Sequence, residues 1–184
     1  MSDEKEKVKN PIHPARQWWR MMTGWSGGNS ANRGALANLR RCRKPVDALM
    51  VTATFNLMQR LPNSNKERVA VLAVVLAHIG DDDPGPHVAR AVGRKTLEDE
   101  DSALLSESRF RRLLQSEGSD ELLTNMVRLL RHMKGKANVA DMAETILYWG
   151  DGQRRRWAFE YYAVGVAAPK ANDNQNTNLE EAHP

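Results

Sequence analysis

The sequence predicts an all-α protein built as two small helical bundles joined by an acidic linker. Apolar residues recur at intervals of three and four along almost the whole chain, the period of a helix that buries one face. No segment shows a sustained alternation of apolar and polar residues with the turn dipeptides of a β-hairpin. The 184 residues are enough to bury a hydrophobic core, in one domain or in two small ones.

The first two helices are predicted from tryptophan and leucine positions. The first helix begins at Pro14 and ends in the glycine-rich stretch 24–28. Its apolar residues are Trp18, Trp19, Met22 and Trp25. The second helix covers residues 34–43, with Leu36 and Leu39 on its inner face.

Two further helices follow in the N-terminal half. Pro45 cannot continue the second helix but suits the first turn of a third, which stops before Pro62. The apolar stripe of the third helix is Val46, Met50, Ala53 and Leu57. The fourth helix begins at Ser64, because Ser64 and Glu67 have the spacing of a capping box. Its apolar run 69–77 is far shorter than the ~20 residues of a membrane span, so we expect a fully buried helix.

The middle of the chain is predicted to consist mainly of connections. Asp81 to Pro86 is predicted to be a loop, His87 to Arg94 a short helix, and the acidic stretch 96–102, which lacks an apolar period, a linker. The tail is rich in Asn and Gln and is expected to be disordered. The predicted organisation is an N-terminal helical domain at 14–95, an acidic linker at 96–103, a C-terminal helical domain at 104–166 and a disordered tail at 167–184.

Four helices are predicted in the C-terminal half. The third of them begins at Asn138, a residue that favours the N-cap position. The inner faces, in order, are Leu105, Phe110, Leu113 and Leu114; Leu122, Met126, Leu129, Leu130 and Met133; Val139, Met142, Ile146 and Leu147; and Trp157 with Tyr161.

Charge is segregated along the chain. A formal net charge of +4 and a pI of about 9.4 do not by themselves separate a nucleic-acid binder from an ordinary basic protein. Acidic residues concentrate at 81–83 and 98–101, whereas basic residues cluster at 40–44, 109–112, 128–136 and 154–156. Arg128, Arg131 and Lys134 follow one another at steps of three and predict a basic helix edge. This segregation favours a polyanionic partner.

No catalytic, metal or cofactor site is predicted. Residues 24–28 match the G-x-S-x-G pattern around Ser26, but a nucleophile elbow needs a preceding strand, and this serine follows a helix. Asp81–Asp83 lacks the remaining ligands of a calcium loop and is expected to be solvated. The histidines have no zinc-binding spacing: they are His13, His78, His87, His132 and His183.

A reducing, cytoplasmic location is expected. Cys42 is the single cysteine, so the chain has no disulfide framework. Residues 1–10 mix acids and lysines and lack the apolar stretch of a signal peptide. We therefore expect a soluble protein of the cytoplasm.

Three stretches, taken in order, carry a family resemblance. The first similarity is to a Leu-Arg-Arg helix and its following proline, and it lies at residues 34–41 and 44–47. The second and third family motifs correspond to residues 105–114 and 126–131. The match continues through 141–150 into the arginine-rich helix with Trp157, and it covers about Trp18 to Tyr162. Together these motifs resemble the CasB family, the small subunit of the type I-E CRISPR complex Cascade.

The resemblance implies a non-catalytic, helical subunit with two small bundles. It implies two copies along the inner belly of Cascade, with the other Cascade subunits, guide RNA and target DNA as partners. By motif, the strongest candidates for nucleic-acid contact are Arg41, Arg109 and Arg131, and Lys66 matches a basic family position less closely. An apparent insertion at Asp151-Gly152 leaves open which of Arg154 to Arg156 is equivalent. The full candidate set is Arg40, Arg41, Lys66, Arg109, Arg112, Arg128, Arg131, Lys134 and Arg154.

Three functions remain open at this point. The first is a basic path for nucleic acid that stabilises the R-loop, and it binds the DNA strand displaced when guide RNA pairs with its target, the guide RNA–DNA region, or both. The second is a helical protein-interaction module whose arginines face solvent or pair with partner acids. The third is a helix-turn-helix regulator, which needs base-reading side chains on a recognition helix.

Overall fold

The computed structural model describes residues 13–25 and 31–164. Its α-helices are α1 (Pro14–Thr23), α2 (Arg33–Arg41), α3 (Pro45–Ala48), α4 (Thr52–Arg60), α5 (Lys66–Ala77), α6 (Val88–Val92), α7 (Glu107–Leu114), α8 (Gly118–His132), α9 (Val139–Leu147) and α10 (Asp151–Tyr161). The prediction of an all-α fold is confirmed. The structure adds two short strands, β1 (Asp81–Asp82) and β2 (Lys136–Ala137), which pair in parallel.

Helix α5 lies at the centre of the fold. Its nine residues from Val69 to Ala77 are all buried, as the uninterrupted apolar run predicts. The helix packs against α2, α3 and α4 and also against α8 and α9. It therefore contacts helices on both sides of the acidic segment 96–103, and one hydrophobic cluster runs from Ala15 to Tyr161. The division of the chain into two domains stays a prediction.

The start of α5 differs from the predicted capping box. The N-cap is Asn65, whose side-chain oxygen accepts a hydrogen bond from the Arg68 amide at 3.1 Å. Placing the cap at Ser64 was therefore wrong by one residue. Asn and Ser are both good caps, and the amide three residues after Asn65 is the one that its side chain reaches.

The third predicted helix is two helices. A turn in which the Val51 amide bonds to the Ala48 carbonyl separates α3 from α4 and changes the direction of the following side chains. Ala53 and Leu57 are buried as predicted, but Val46 is 55% exposed and Met50 is 86% exposed. The single four-residue stripe was wrong because a helical period holds only while one helix continues.

Helix α1 is held by its two buried tryptophans. The indole N–H groups of Trp18 and Trp19 donate to the carbonyls of Ala53 and Ile79, each at 3.0 Å. The helix ends at Gly24, which takes a left-handed φ of 72°. Trp25 follows the helix end and is 52% exposed, so its assignment to the first helix was wrong.

The loop 81–86 was expected to be solvated, and Asp82 corrects this. Its side chain is buried, pairs with Arg16 of α1, and accepts a hydrogen bond from the Val139 amide at 3.2 Å. The neighbouring Asp83 pairs with Lys136 at 3.5 Å. Asp82 lies between two other aspartates, so nothing local indicates that two distant segments close over it.

The four C-terminal helices form in the order that the sequence predicts, but Leu105 precedes α7, so its assignment to that helix was wrong. Asn138 caps α9, accepting from the Asp141 amide at 3.1 Å. Helix α8 ends at His132, and Lys134 and Gly135 follow with left-handed φ values of 54° and 73°. Lys134 therefore lies in the turn after α8, and its placement on the helix edge was wrong. The opposite side of α8 is buried, including Leu122, Met126 and Leu130.

Several predictions fall outside the described residues. They are the serine pattern centred on Ser26, the N-terminal segment 1–10 and the tail 167–184 with its neighbours from 165. Among the helices that the structure describes, none is long and apolar enough to cross a membrane.

Candidate nucleic-acid interface

Helix α8 carries two adjacent stripes that face different neighbours. Asn125, Arg128 and His132 are spaced by three and four residues and line a groove shared with α7. Thr124 and Arg131 belong to the next stripe and line a hollow shared with the connection from α2 to α3. Arg128 lines both depressions. The two depressions are therefore neighbours on one surface.

The α7–α8 groove is a cleft with a volume of about 280 Å³. Leu105, Leu113 and Leu129 form its apolar floor, and each of these leucines is almost fully buried. Arg109 and Arg112 come from α7 because positions 109 and 112 share one face of that helix, beside Leu113. The remaining lining residues are Asn125, Arg128 and His132 from α8. The result is an apolar floor with a cationic rim.

The second depression, the α2–α8 hollow, is smaller, with a volume of about 150 Å³. Its charged residues are Arg43, Arg128 and Arg131, and Cys42 lies beside them. Burial lowers the pKa of the nearby His78, and the positive charges of Arg40, Arg131 and Arg43 lower that pKa further. Three guanidinium groups thus converge on the C-terminal end of α5.

Five arginines and one histidine form what we call the basic surface: Arg43, Arg109, Arg112, Arg128, Arg131 and His132. All six are exposed. Within residues 13–25 and 31–164, none of their side chains forms an ion pair or a hydrogen bond. The contrast with Arg111 is direct, because that arginine, on another face of α7, pairs with Glu107 at 2.7 Å. The unpaired like charges repel one another, and an anion relieves that repulsion.

Four of the nine candidate residues come together on this surface. They are Arg109, Arg112, Arg128 and Arg131, and each is exposed. Arg41 is exposed at the last position of α2. Lys134 is exposed in the turn after α8.

The other three candidates have partners in the protein itself. Arg40 Nε donates to the carbonyl of Ala77 at 2.6 Å and so serves the C-terminus of α5. Arg154 donates to the carbonyl of Ser116 at 2.8 Å. Lys66 donates to the Pro62 carbonyl at 3.1 Å and lines a different hollow, beside α3. Each of these bonds commits part of the side chain to the fold.

The neighbours of Arg154 have distinct surroundings. Arg156 Nη1 pairs with the buried Asp141 at 2.6 Å, and its other terminal nitrogen, Nη2, donates to Thr145 at 2.8 Å. Asp141 in turn accepts from the Val88 amide at the start of α6. Arg156 therefore holds α6, α9 and α10 together, whereas Arg155 is exposed.

Arg43, Asn125 and His132 line the two depressions but are absent from the candidate set. Asn125 and His132 lie three residues before and four residues after Arg128, so the helical period offered a signal for both. Arg43 lies in the basic cluster 40–44, but its approach to α8 depends on the tertiary packing.

The described segments also bear on metal binding. Within them, no group of three or more His, Cys, Asp or Glu side chains is placed to hold a metal ion. Of the acidic residues at 98–101, Glu100 pairs with Arg94 at 3.3 Å.

Comparison with known proteins identifies a sequence family and a similar solved structure. The sequence model of the CRISPR-associated protein Cse2 family matches residues 35–162, more than half of the chain. A chain in the crystal structure of E. coli Cascade bound to a PAM-containing double-stranded DNA target has a similar fold, with a TM-score of 0.61 and 19% identity. The similarity covers 81% of this chain and 94% of that one, and at this identity it establishes a shared fold. No curated protein matches the sequence significantly.

Proposed function

The chain belongs to the CRISPR-associated Cse2 family, and from that premise we propose that it is a non-catalytic subunit of the type I-E Cascade complex. Its role in this proposal is to bind the DNA strand that guide RNA displaces from the target duplex. Its partners are the other Cascade subunits, the guide RNA and the target DNA, with two copies of this chain in each complex.

One observation carries the proposal. The basic surface presents five exposed arginines that have no acidic partner among the described residues, and it extends over two neighbouring depressions. Such an arrangement suits a chain of phosphates, because phosphate contacts need well-placed cations and carry no base information. Binding of this kind tolerates any sequence, as a displaced strand requires.

Modest contacts are enough for this role. Replacing a DNA duplex by an RNA–DNA heteroduplex is nearly balanced in free energy, so protein contacts to the DNA backbone can shift the equilibrium towards the open R-loop. Except for Arg43, the cations of the basic surface lie on α7 and α8, whose apolar faces belong to the hydrophobic core, so their backbone positions are fixed before the strand arrives. Preorganised contacts lose less conformational entropy on binding.

The test compares two triple variants in the assembled complex. Arg109→Ala, Arg128→Ala and Arg131→Ala remove charge from the basic surface, whereas Arg33→Ala, Arg60→Ala and Lys95→Ala remove the same charge from exposed basic residues elsewhere. We expect only the first variant to impair R-loop formation. Its slope of log affinity against log salt for single-stranded DNA should flatten by about 0.7 for each phosphate that is no longer neutralised.

Two outcomes contradict the proposal. In the first outcome, both variants assemble, form R-loops as the wild type does, and keep the wild-type salt slope for single-stranded DNA. The arginines are then a solvated face, and the chain acts as a protein-interaction module. If the chain prefers one duplex sequence over others, it reads bases as a helix-turn-helix regulator does.

A further inference from the structure

The α7–α8 groove has features that phosphate binding does not require. We propose that it holds one unstacked nucleobase of the displaced strand, while the arginines at its rim contact the flanking phosphates. This inference rests on the proposed function and adds a second type of contact to it. Exposed arginines alone would suffice for phosphates. The groove adds an apolar floor, a recessed volume and the amide of a largely buried side chain.

The floor and the volume suit a planar apolar face. Leu105, Leu113 and Leu129 present side-chain carbons, which gain little from a phosphate but stabilise the face of a base removed from water. The volume of about 280 Å³ is several times the ~30 Å³ that a water molecule takes in the liquid. The α2–α8 hollow has only about 150 Å³ and is lined by Arg43, Arg128 and Arg131, so it suits a phosphate.

Asn125 supplies the polar contact. The residue lines the groove although it is only 8% exposed. Its amide nitrogen donates to Ser116 Oγ at 2.8 Å, whereas its amide oxygen has no hydrogen-bond partner in the part of the chain that the structure describes. This oxygen is not among the fully buried atoms without a partner, so it is open to the groove, where a donor on a ligand can replace water. Every nucleobase carries an N–H donor on its edge, so this contact is compatible with any sequence.

The arginines at the rim of the groove supply the remaining contacts. Arg109, Arg112 and Arg128 carry planar guanidinium groups, which can both stack on aromatic rings and bind phosphate. Unstacked bases are commonly bound by stacking on such a plane. In this arrangement the leucines contact one face of the base, and a guanidinium group stacks on the other face.

The first experiment changes the ligand and leaves the protein intact. The affinity of the assembled complex is measured for oligothymidine and for a wholly abasic deoxyribose-phosphate oligomer of the same length. The abasic oligomer keeps every phosphate and lacks every base. We expect the abasic strand to bind about fivefold more weakly, the lower end of what stacking of one base contributes. Equal affinities would overturn the inference and leave the proposed phosphate path intact. If neither strand binds the assembled complex, the proposed function fails as well.

The second experiment locates the base. Asn125→Val removes the amide while keeping a side chain of similar size, and Gln59→Val, which removes an exposed amide on α4 away from both depressions, is the control. Asn125→Val should weaken binding of oligothymidine severalfold and leave the abasic strand unchanged. A reduction that is equal for both strands would mean that Asn125 only supports the fold, which contradicts the inference. The same comparison made with ribose strands, with and without bases, tests whether the groove holds DNA or RNA. If the bases increase affinity only in the ribose strands, the proposal of a DNA strand in the groove is contradicted.

Discussion

Asp82 and Arg16 form an ion pair that joins β1 to α1. The carboxylate is buried, and its other oxygen accepts a hydrogen bond from the Val139 amide at the start of α9. One side chain therefore connects three segments that are far apart in sequence. A second buried aspartate, Asp141, has the same role at the start of α6 and pairs with Arg156. The N-terminal ends of two helices thus depend on carboxylates from other elements.

Loss of Arg16 should destabilise the fold. Arg16→Ala leaves the buried carboxylate of Asp82 without its cation, and breaking a buried pair in this way typically costs about 3–5 kcal/mol. Chemical denaturation measures the change in the free energy of unfolding. Arg33→Ala, at an exposed position on α2, is the control and should have little effect. An unchanged midpoint for Arg16→Ala would show that water replaces the cation.

Gly93 should tolerate no side chain. A Cβ at this position would lie 2.8 Å from the carbonyl carbon of Tyr161 and closer still to two other backbone atoms of that residue. The approach is close because the Arg94 amide donates to the Tyr161 carbonyl at 2.8 Å. Gly93→Ala should lower the free energy of unfolding by about 3 kcal/mol, the upper end for overpacking.

Gly34 offers the matched control for Gly93. A Cβ there meets nothing within 4 Å, and the residue lies in α2. Gly34→Ala should therefore raise the free energy of unfolding, by up to about 1 kcal/mol. Thermal denaturation of the two variants provides the comparison. Similar melting of Gly93→Ala and wild type would contradict the close approach of α6 and α10.

Arg40 and Arg41 should behave differently although they are adjacent. Arg40 binds the Ala77 carbonyl at the C-terminus of α5, so Arg40→Ala should lower the free energy of unfolding by about 1 kcal/mol. Arg41 is exposed, so Arg41→Ala should leave melting almost unchanged. Differential scanning calorimetry separates the two. Equal melting temperatures would mean that the bond from Arg40 contributes nothing.

Stability should fall in mildly acidic solution. Burial, reinforced by three arginines, lowers the pKa of His78 from its ordinary value of 6.5 in the folded protein. Below that pH the unfolded chain binds a proton that the folded chain does not, so the free energy of unfolding decreases as pH falls. His78→Asn should reduce this decrease between about pH 7 and 5.5, above the range of ordinary carboxylates. A steeper decrease in the variant would contradict the direction of the pKa shift.

Local sequence was enough for most of the helices, although it did not reveal the break between α3 and α4. The apolar run 69–77 identifies α5 as buried, because nine consecutive apolar side chains leave no face for water. Asn138 marks the start of α9 through a bond to an amide only three residues away. Arg109 and Arg112 share a face through the helical period alone. Ser64 and Asn65 are adjacent residues that both favour the N-cap position, and the prediction chose Ser64 where the structure has Asn65.

The tertiary structure decided which charges are free and which are bound. Arg40, Arg154 and Arg156 look like the other arginines in sequence, but backbone carbonyls and a buried aspartate from distant segments bind them. Asp82 was likewise expected to be solvated, because its partners Arg16 and Val139 are far away in sequence. The depressions on either side of Arg128 also form only when α7 and the α2–α3 connection pack beside α8. Sequence alone determined helices and clusters of charge because those depend on neighbours a few residues apart. Pairing and enclosure depend on groups tens of residues apart, which only the packed core brings together.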